Sequence, residues 1–209
     1  MRVAHSPLAR LFLRPALVVA LALVPLAAAA RTPTPLRTEV PAGYRPAERA
    51  TEAMVGKLVG LDQRCFPQAD WYGARTWQSL VPVTHVLLTA DGRGFAAAIA
   101  ACAIGTAPSW LRDSLAGGGL RDSRATYIAS IAVDPAHQRK GLAACLMQMQ
   151  QIVPSNRDAY LHVRKGNDPA IALYRRLGFE IVEELGAGAV YHDEAALLMR
   201  RLALPGKQN

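Results

Sequence analysis

Val133-Asp134-Pro135-Ala136-His137-Gln138-Arg139-Lys140-Gly141-Leu142-Ala143 is the stretch on which the fold turns. It leaves a run of strand type, Thr126–Val133, crosses a turn at Asp134-Pro135, and enters a helix. The spacing predicts that helix over Gly141–Val153, with Leu142, Cys145, Met149 and Ile152 on one stripe. A helix start presents unpaired backbone N–H groups and a partial positive charge, so a strand–turn–helix unit of this kind suits an anion. Gly141 has no Cβ and lets a bulky diphosphate approach the backbone. Gln138, Arg139 and Lys140 add donors and positive charge beside it. Two better-known phosphate signatures are absent: no G-x-x-x-x-G-K-[ST] occurs, and no G-x-G-x-x-G follows a strand. Taken alone, Q-x-x-G-x-A fits a solvated basic turn as well as a phosphate loop.

A second segment lies downstream. Ala159–Arg164 is a strand, and Asn167-Asp-Pro-Ala-Ile-Ala-Leu-Tyr-Arg-Arg-Leu-Gly-Phe179 opens a helix over Pro169–Leu177. Asp168 reads as its N-cap, Pro169 as its first residue and Gly178 as its stop. Ala170, Leu173, Tyr174 and Leu177 stand at i, i+3, i+4 and i+7, which turns Tyr174 toward the sheet. A tyrosine so placed also serves as a plain buried anchor.

Upstream, Arg45–Phe66 carries Ala53, Met54, Leu58, Leu61 and Cys65 at helical spacing, and Trp71–Val81 predicts a shorter helix. Val83–Thr89 and Phe95–Ile104 are strands joined by the hairpin turn Asp91-Gly92-Arg93-Gly94. Thr106–Arg124, with Pro108 and Gly117-Gly118-Gly119, reads as a flexible loop. Phe179–Glu184 and Ala195–Leu202 close the pattern. The order α–α–β–β–β–α–β–α–β–β implies an α/β domain over residues 39–205, with one mixed central sheet flanked by helices and a tail at 206–209.

Composition agrees with a globular domain rather than a disordered or nucleic-acid-binding chain. Of the 209 residues, 51% are apolar and 19% charged. Residues 1–38 hold five arginines and no acid, which leaves 19 basic against 16 acidic residues, or +3 of the total +8, in the remainder. No basic stripe for nucleic acid is left on the domain. Cys65, Cys102 and Cys145 are odd in number and far apart, which argues against disulfides and metal, and for buried thiols in a reducing compartment. Met1–Arg14 is positive, Pro15–Leu26 is apolar, and Ala27–Ala30 offers an A-x-A-like cleavage signal. The apolar stretch is short for a membrane span and broken by Pro25, so no stable span is expected after processing. The pattern fits a secretory signal, an organellar transit peptide or an upstream start codon. A cytoplasmic or organellar address is expected over a bacterial periplasm, because the cofactor implied below is not expected there.

Together the two segments resemble the GNAT superfamily of N-acetyltransferases, whose hallmarks are Q/R-x-x-G-x-G/A after the fourth strand and N-x-x-A-x-x-L-Y-x-x-x-G-F in the following helix. Both occur here in order and at the right separation, and the likeness covers most of residues 43–202. The resemblance implies acetyl-CoA as co-substrate, no metal, and a V-shaped split between strands 4 and 5. Backbone groups of Ile131 and Val133 would pair with the pantetheine arm, with Ala132 alongside. Backbone N–H groups from Gln138 through Arg139, Lys140, Gly141 and Leu142 to Ala143 would hold the pyrophosphate, next to Ala144. Asn167 would bond the cofactor arm, flanked by Ala170 and Arg176, and Tyr174 would protonate the departing thiolate.

Within that superfamily the chain looks most like protein Nα-terminal acetyltransferases of the NatE and NatF type, through Tyr127-Ile-Ala-Ser-Ile131, Tyr160-Leu-His-Val163 and Cys65-Phe-Pro67. In that subgroup a Tyr and a His work with a water as general base, here Tyr127 and His162. His is the side chain whose ordinary pKa lies nearest neutrality, and alternation turns Tyr160, His162 and Arg164 to one face. The same alternation puts Tyr127, Ala129, Ile131 and Val133 together on one face. Phe66, Pro67, Ala129 and Tyr191 would line the acceptor pocket. The subgroup's pair of tyrosines between the last two strands is reduced here to Tyr191 beside His192, in a short glycine-rich loop. Bacterial ribosomal-protein N-acetyltransferases are also similar, but usually carry Glu at the place of His162. The expected reaction is acetyl transfer to a primary amine in a ternary complex, foremost a protein N-terminus, with a small-molecule amine or a silent CoA-binding module as alternatives.

Overall fold

The computed structural model describes residues 39–204; the targeting-like segment 1–38 and the tail 206–209 lie outside them. Twelve elements follow one another as β1 (Glu48–Arg49), α1 (Val55–Cys65), α2 (Ala74–Leu80), β2 (Thr84–Leu88), β3 (Phe95–Ala103), α3 (Ser109–Gly117), β4 (Thr126–Val133), α4 (Leu142–Gln148), β5 (Ala159–Arg164), α5 (Asp168–Arg176), β6 (Glu180–Leu185) and β7 (Ala196–Arg201). They form one seven-stranded sheet in the order β1-β2-β3-β4-β5-β7-β6. Among the described strands only β4 and β5 run parallel; every other neighbouring pair is antiparallel.

Both faces of the sheet are covered. Leu58 and Leu61 of α1, Trp77 and Leu80 of α2, and Leu111 and Leu115 of α3 pack on one face. Leu142, Leu146 and Met147 of α4 and Ile171 and Tyr174 of α5 pack on the other. Phe-Ala-Ala-Ala-Ile-Ala-Ala-Cys-Ala of β3 runs between these layers, and its small side chains let helices approach from both sides.

Several sequence expectations change. The chain before Val55 pairs with β2 through Glu48 and Arg49, so α1 starts ten residues later than its apolar spacing suggests. The segment 106–124 is not a slack loop. It carries α3, whose Leu111 and Leu115 are 5% and 4% exposed. Helix α4 stops at Gln148, after which Ile152 and Val153 stay buried in a turn closed on the Met149 carbonyl. The cap of α5 is Asn167, not Asp168: its side-chain carbonyl accepts the Ala170 N–H at 3.2 Å.

The change that matters most for function is in β4. Ala100 pairs with Ser130 but Ala101 pairs with Ile128, so Ala129 is an extra residue, a β-bulge. The bulge reverses the alternation. Tyr127 and Ala132 face the α1–α3 layer, whereas Ile128, Ile131 and Val133 face α4 and α5. Tyr127, Ile131 and Val133 therefore do not share a face.

Candidate active site

The bulge is also where the sheet opens. β4 and β5 pair at Thr126–Ala159, Tyr127–Tyr160 and Ile128–Leu161, and no further. Beyond Ile128 the strands diverge, leaving Ala129–Val133 and His162–Arg164 as two walls of a cleft of about 2270 Å³. Asp134 N–H bonds Ala96 of β3, so Val133 and, two residues back, Ile131 turn their backbone groups to the gap. A ladder edge exposed inside a cleft is a template for an added extended chain.

At one end of this gap lies the phosphate-loop stretch. Asp134 caps a short turn by accepting the Ala136 N–H at 3.0 Å, and Arg64 fixes that carboxylate at 2.8 Å. The backbone then passes through positive φ at Arg139 (63°) and Gly141 (82°) before α4 begins. The first helical bond runs from Cys145 N–H to the Gly141 carbonyl, and the N–H groups from Gln138 to Ala144 find no acceptor among the described residues. Such a run of donors pointing at solvent fits a diphosphate. Gln138, Arg139, Gly141, Leu142, Ala143 and Ala144 line the cleft, as do Asn167, Ala170 and Arg176 opposite. The Lys140 side chain does not; it bends back toward the Ala136 carbonyl at 3.4 Å.

Tyr127 and His162 meet at the floor of the gap. Because Tyr127 pairs with Tyr160, His162 is its diagonal neighbour, and Tyr127 Oη lies 2.8 Å from His162 Nδ1. Burial pushes the imidazole down to about 4 and holds the Tyr127 phenol well above its usual 10. Near neutrality both are uncharged. The phenol cannot ionise outright, yet it can pass its proton to Nδ1 while taking another.

Tyr174 reaches the same gap from the opposite layer; it is 6% exposed, and burial raises its phenol above the usual range. It stays protonated and can donate to a thiolate. Tyr191 bonds the His162 carbonyl at 3.3 Å and lies under the Arg164 guanidinium. Phe66 and Ala129 line the cleft, but Pro67 is not among the lining residues.

Sequence reasoning missed three residues here. Tyr72 donates to the Ala129 carbonyl at 3.2 Å, which ties the α1–α2 connection to the bulge. Asp62, 2% exposed, accepts the Tyr72 N–H at 2.7 Å, and burial pushes its carboxyl up to about 6. Arg164 links two loops at the mouth: it pairs with Asp70 on one side and with Asp193 (2.8 Å) and Glu194 (3.0 Å) on the other. Only the outward alternation of Arg164 on its strand signalled a role. Cys65 donates to the Val133 carbonyl at 3.3 Å, and burial together with nearby Asp134 pushes its thiol to about 11, so it is not poised as a nucleophile.

Residues 57–179 match the Acetyltransferase (GNAT) family, and the chain belongs to that family. An N-alpha-acetyltransferase of Saccharolobus solfataricus is 36% identical over 83 residues, which are 38% of this chain and 50% of the relative. The chain spans half or less of the length of the curated relatives it matches. Among solved structures, the ribosomal-protein-S18-alanine N-acetyltransferase of Escherichia coli superposes with a TM-score of 0.58 at 20% identity, over 78% of this chain and 97% of that one. NAA60 of Arabidopsis thaliana, solved with acetyl-CoA, gives 0.56 at 18% identity over 74% and 96%. At these identities the likeness is one of fold, including the mixed sheet with its parallel β4–β5 pair.

Proposed function

We propose that this chain transfers the acetyl group of acetyl-CoA to the α-amine of a polypeptide N-terminus. The observation that carries the reading is the 2.8 Å Tyr127–His162 contact at the floor of a gap whose far end is a run of free backbone N–H groups. In this scheme the residues from Gln138 to Ala144 hold the diphosphate, and the exposed edge at Ile131 and Val133 aligns the pantetheine arm. The amine nitrogen attacks the thioester carbonyl, and a backbone N–H near Val133 steadies the oxyanion. As the C–N bond forms, the nitrogen's proton passes through a water to Tyr127 Oη, whose own proton moves to His162 Nδ1. As the C–S bond breaks, Tyr174 donates to the sulfur.

The basicity of His162 bears on the acceptor. An imidazole held near 4 is a weak base, so the enzyme relies on amine that is already neutral. At pH 7 an α-amine (pKa about 7.7–8.0) is neutral to roughly one part in ten, a lysine side chain (about 10.4) to only about four in ten thousand. That difference, about 3 kcal/mol, favours an α-amine. A small amine of low pKa is the second reading, favoured by the short glycine-rich loop between β6 and β7, which has Tyr191 as its single tyrosine. A screen of peptides against free amines, read by mass spectrometry, tests both. Acetylated peptide N-termini support the first, and acetylation of free amines alone overturns it.

A further inference from the structure

The segment between β3 and β4 plays no part in the chemistry above, yet it borders the same cleft. Trp110, Ser114, Gly117, Gly118, Gly119 and Leu120 line it. This wall is held firmly: Leu111 and Leu115 are sunk in the core, and Trp110 Nε1 donates to Ser79 Oγ of α2 at 3.0 Å. The Trp110 ring also meets Tyr72 edge-on, centroids 6.3 Å apart, and Tyr72 in turn touches the bulge carbonyl of Ala129.

At the end of α3 the N–H groups of Gly118, Gly119 and Leu120 fold back onto Ser114, Ala116 and Leu115. The carbonyls of Gly117, Gly118 and Gly119 accept nothing among the described residues. The wall therefore offers bare acceptors beside apolar rings, the complement of a peptide backbone with its N–H donors.

Resting on the acceptor reading above, we infer that α3 and its glycine turn form a subsite for the second to fourth residues of the acceptor polypeptide. The distances set an upper limit on the reach. Tyr72 Oη lies 3.2 Å from Ala129 O and its ring 6.3 Å from Trp110, so the Trp110 ring is at most roughly 12 Å from the bulge. An extended chain of three or four residues, at about 3.3 Å each, spans that distance in full.

Gly117→Leu in the full chain is the test. Gly117 has an ordinary negative φ, and a Cβ built on it meets nothing within 4 Å, so the side chain enters open space without straining the fold. Its melting temperature should equal or exceed that of the wild type, since leucine favours a helix over glycine. The KM of a seven-residue peptide should rise at least about fivefold, while the KM of the amide of its first residue and that of acetyl-CoA stay put. In the wild type, kcat/KM should climb with peptide length to four residues and then level off. A KM for the seven-residue peptide that does not change, or rises no more than that of the amide, overturns the subsite, as does a wild type indifferent to length. If the wild type acetylates amides but no peptide, the acceptor reading falls and the subsite with it.

Discussion

The state of His162 sets the pH profile. In water an imidazole titrates near 6.5; here burial brings it to about 4. At pH 6 only about one His162 in a hundred is then protonated, so loss of kcat/KM below neutrality must come from the acceptor amine. The rate should rise about tenfold per pH unit and level near 7.7–8.0 for an ordinary peptide. A peptide whose first side chain is fluorinated has a more acidic amine, and its plateau should move down by the shift in that amine's pKa. A limb fixed near 6.5 for both peptides, and lost in His162→Gln, would refute the buried neutral imidazole. Stability gives an independent reading. Between 4 and 6.5 the unfolded chain holds a proton on this residue that the folded chain does not, so the contribution is complete above 6.5 and is lost as pH falls toward 4. Its ceiling is about 3 kcal/mol, less where water in the cleft reaches the ring. The difference in urea midpoints between wild type and His162→Gln, followed from pH 7 to 4.5, isolates that effect from the carboxylates that titrate in the same range.

Tyr127→Phe removes the 2.8 Å partner of His162 and should lower kcat about 10- to 100-fold, with acetyl-CoA affinity measured by calorimetry unchanged. Asn167→Ala should cost about 1 kcal/mol in denaturant unfolding through the lost cap of α5 and should also weaken acetyl-CoA binding. Asn167→Asp keeps the capping oxygen and loses the amide donor, so it should weaken binding alone. Asp62→Asn should stabilise the protein at pH 8. The folded carboxyl sits near 6 against an ordinary 3.8, so its stabilising effect is present at low pH and is lost as pH rises through 6. The asparagine still accepts the Tyr72 N–H, and the gain in unfolding midpoint should vanish below pH 4.

What the sequence made legible was local. Thr126–Val133 and Ala159–Arg164 are strands with the boundaries their composition implies, and the stretch from Val133 to Leu142 is the strand–turn–helix junction its residues imply. Helix α3 was hidden by its own borders. Trp110, Leu111, Ser114 and Leu115 have helical spacing, but Pro108 and three glycines frame them as a loop. The bulge left no trace at all, because Tyr-Ile-Ala-Ser-Ile-Ala-Val offers too little polarity contrast for a shifted alternation to show.

The Arg164 bridges join residues 94, 29 and 30 positions apart, and nothing in any one segment encodes such a meeting. The two halves of the cleft therefore differ in kind. The proposed cofactor half is built from contiguous turns whose backbone conformation its own residues dictate. The proposed acceptor half draws its lining from α1, α2, α3, β5 and the β6–β7 loop, segments far apart in the sequence. Under the proposed function, a change in any of those elements redirects the acceptor without touching the phosphate loop, and acceptor choice is read from the folded wall at Tyr72, Trp110 and Arg164.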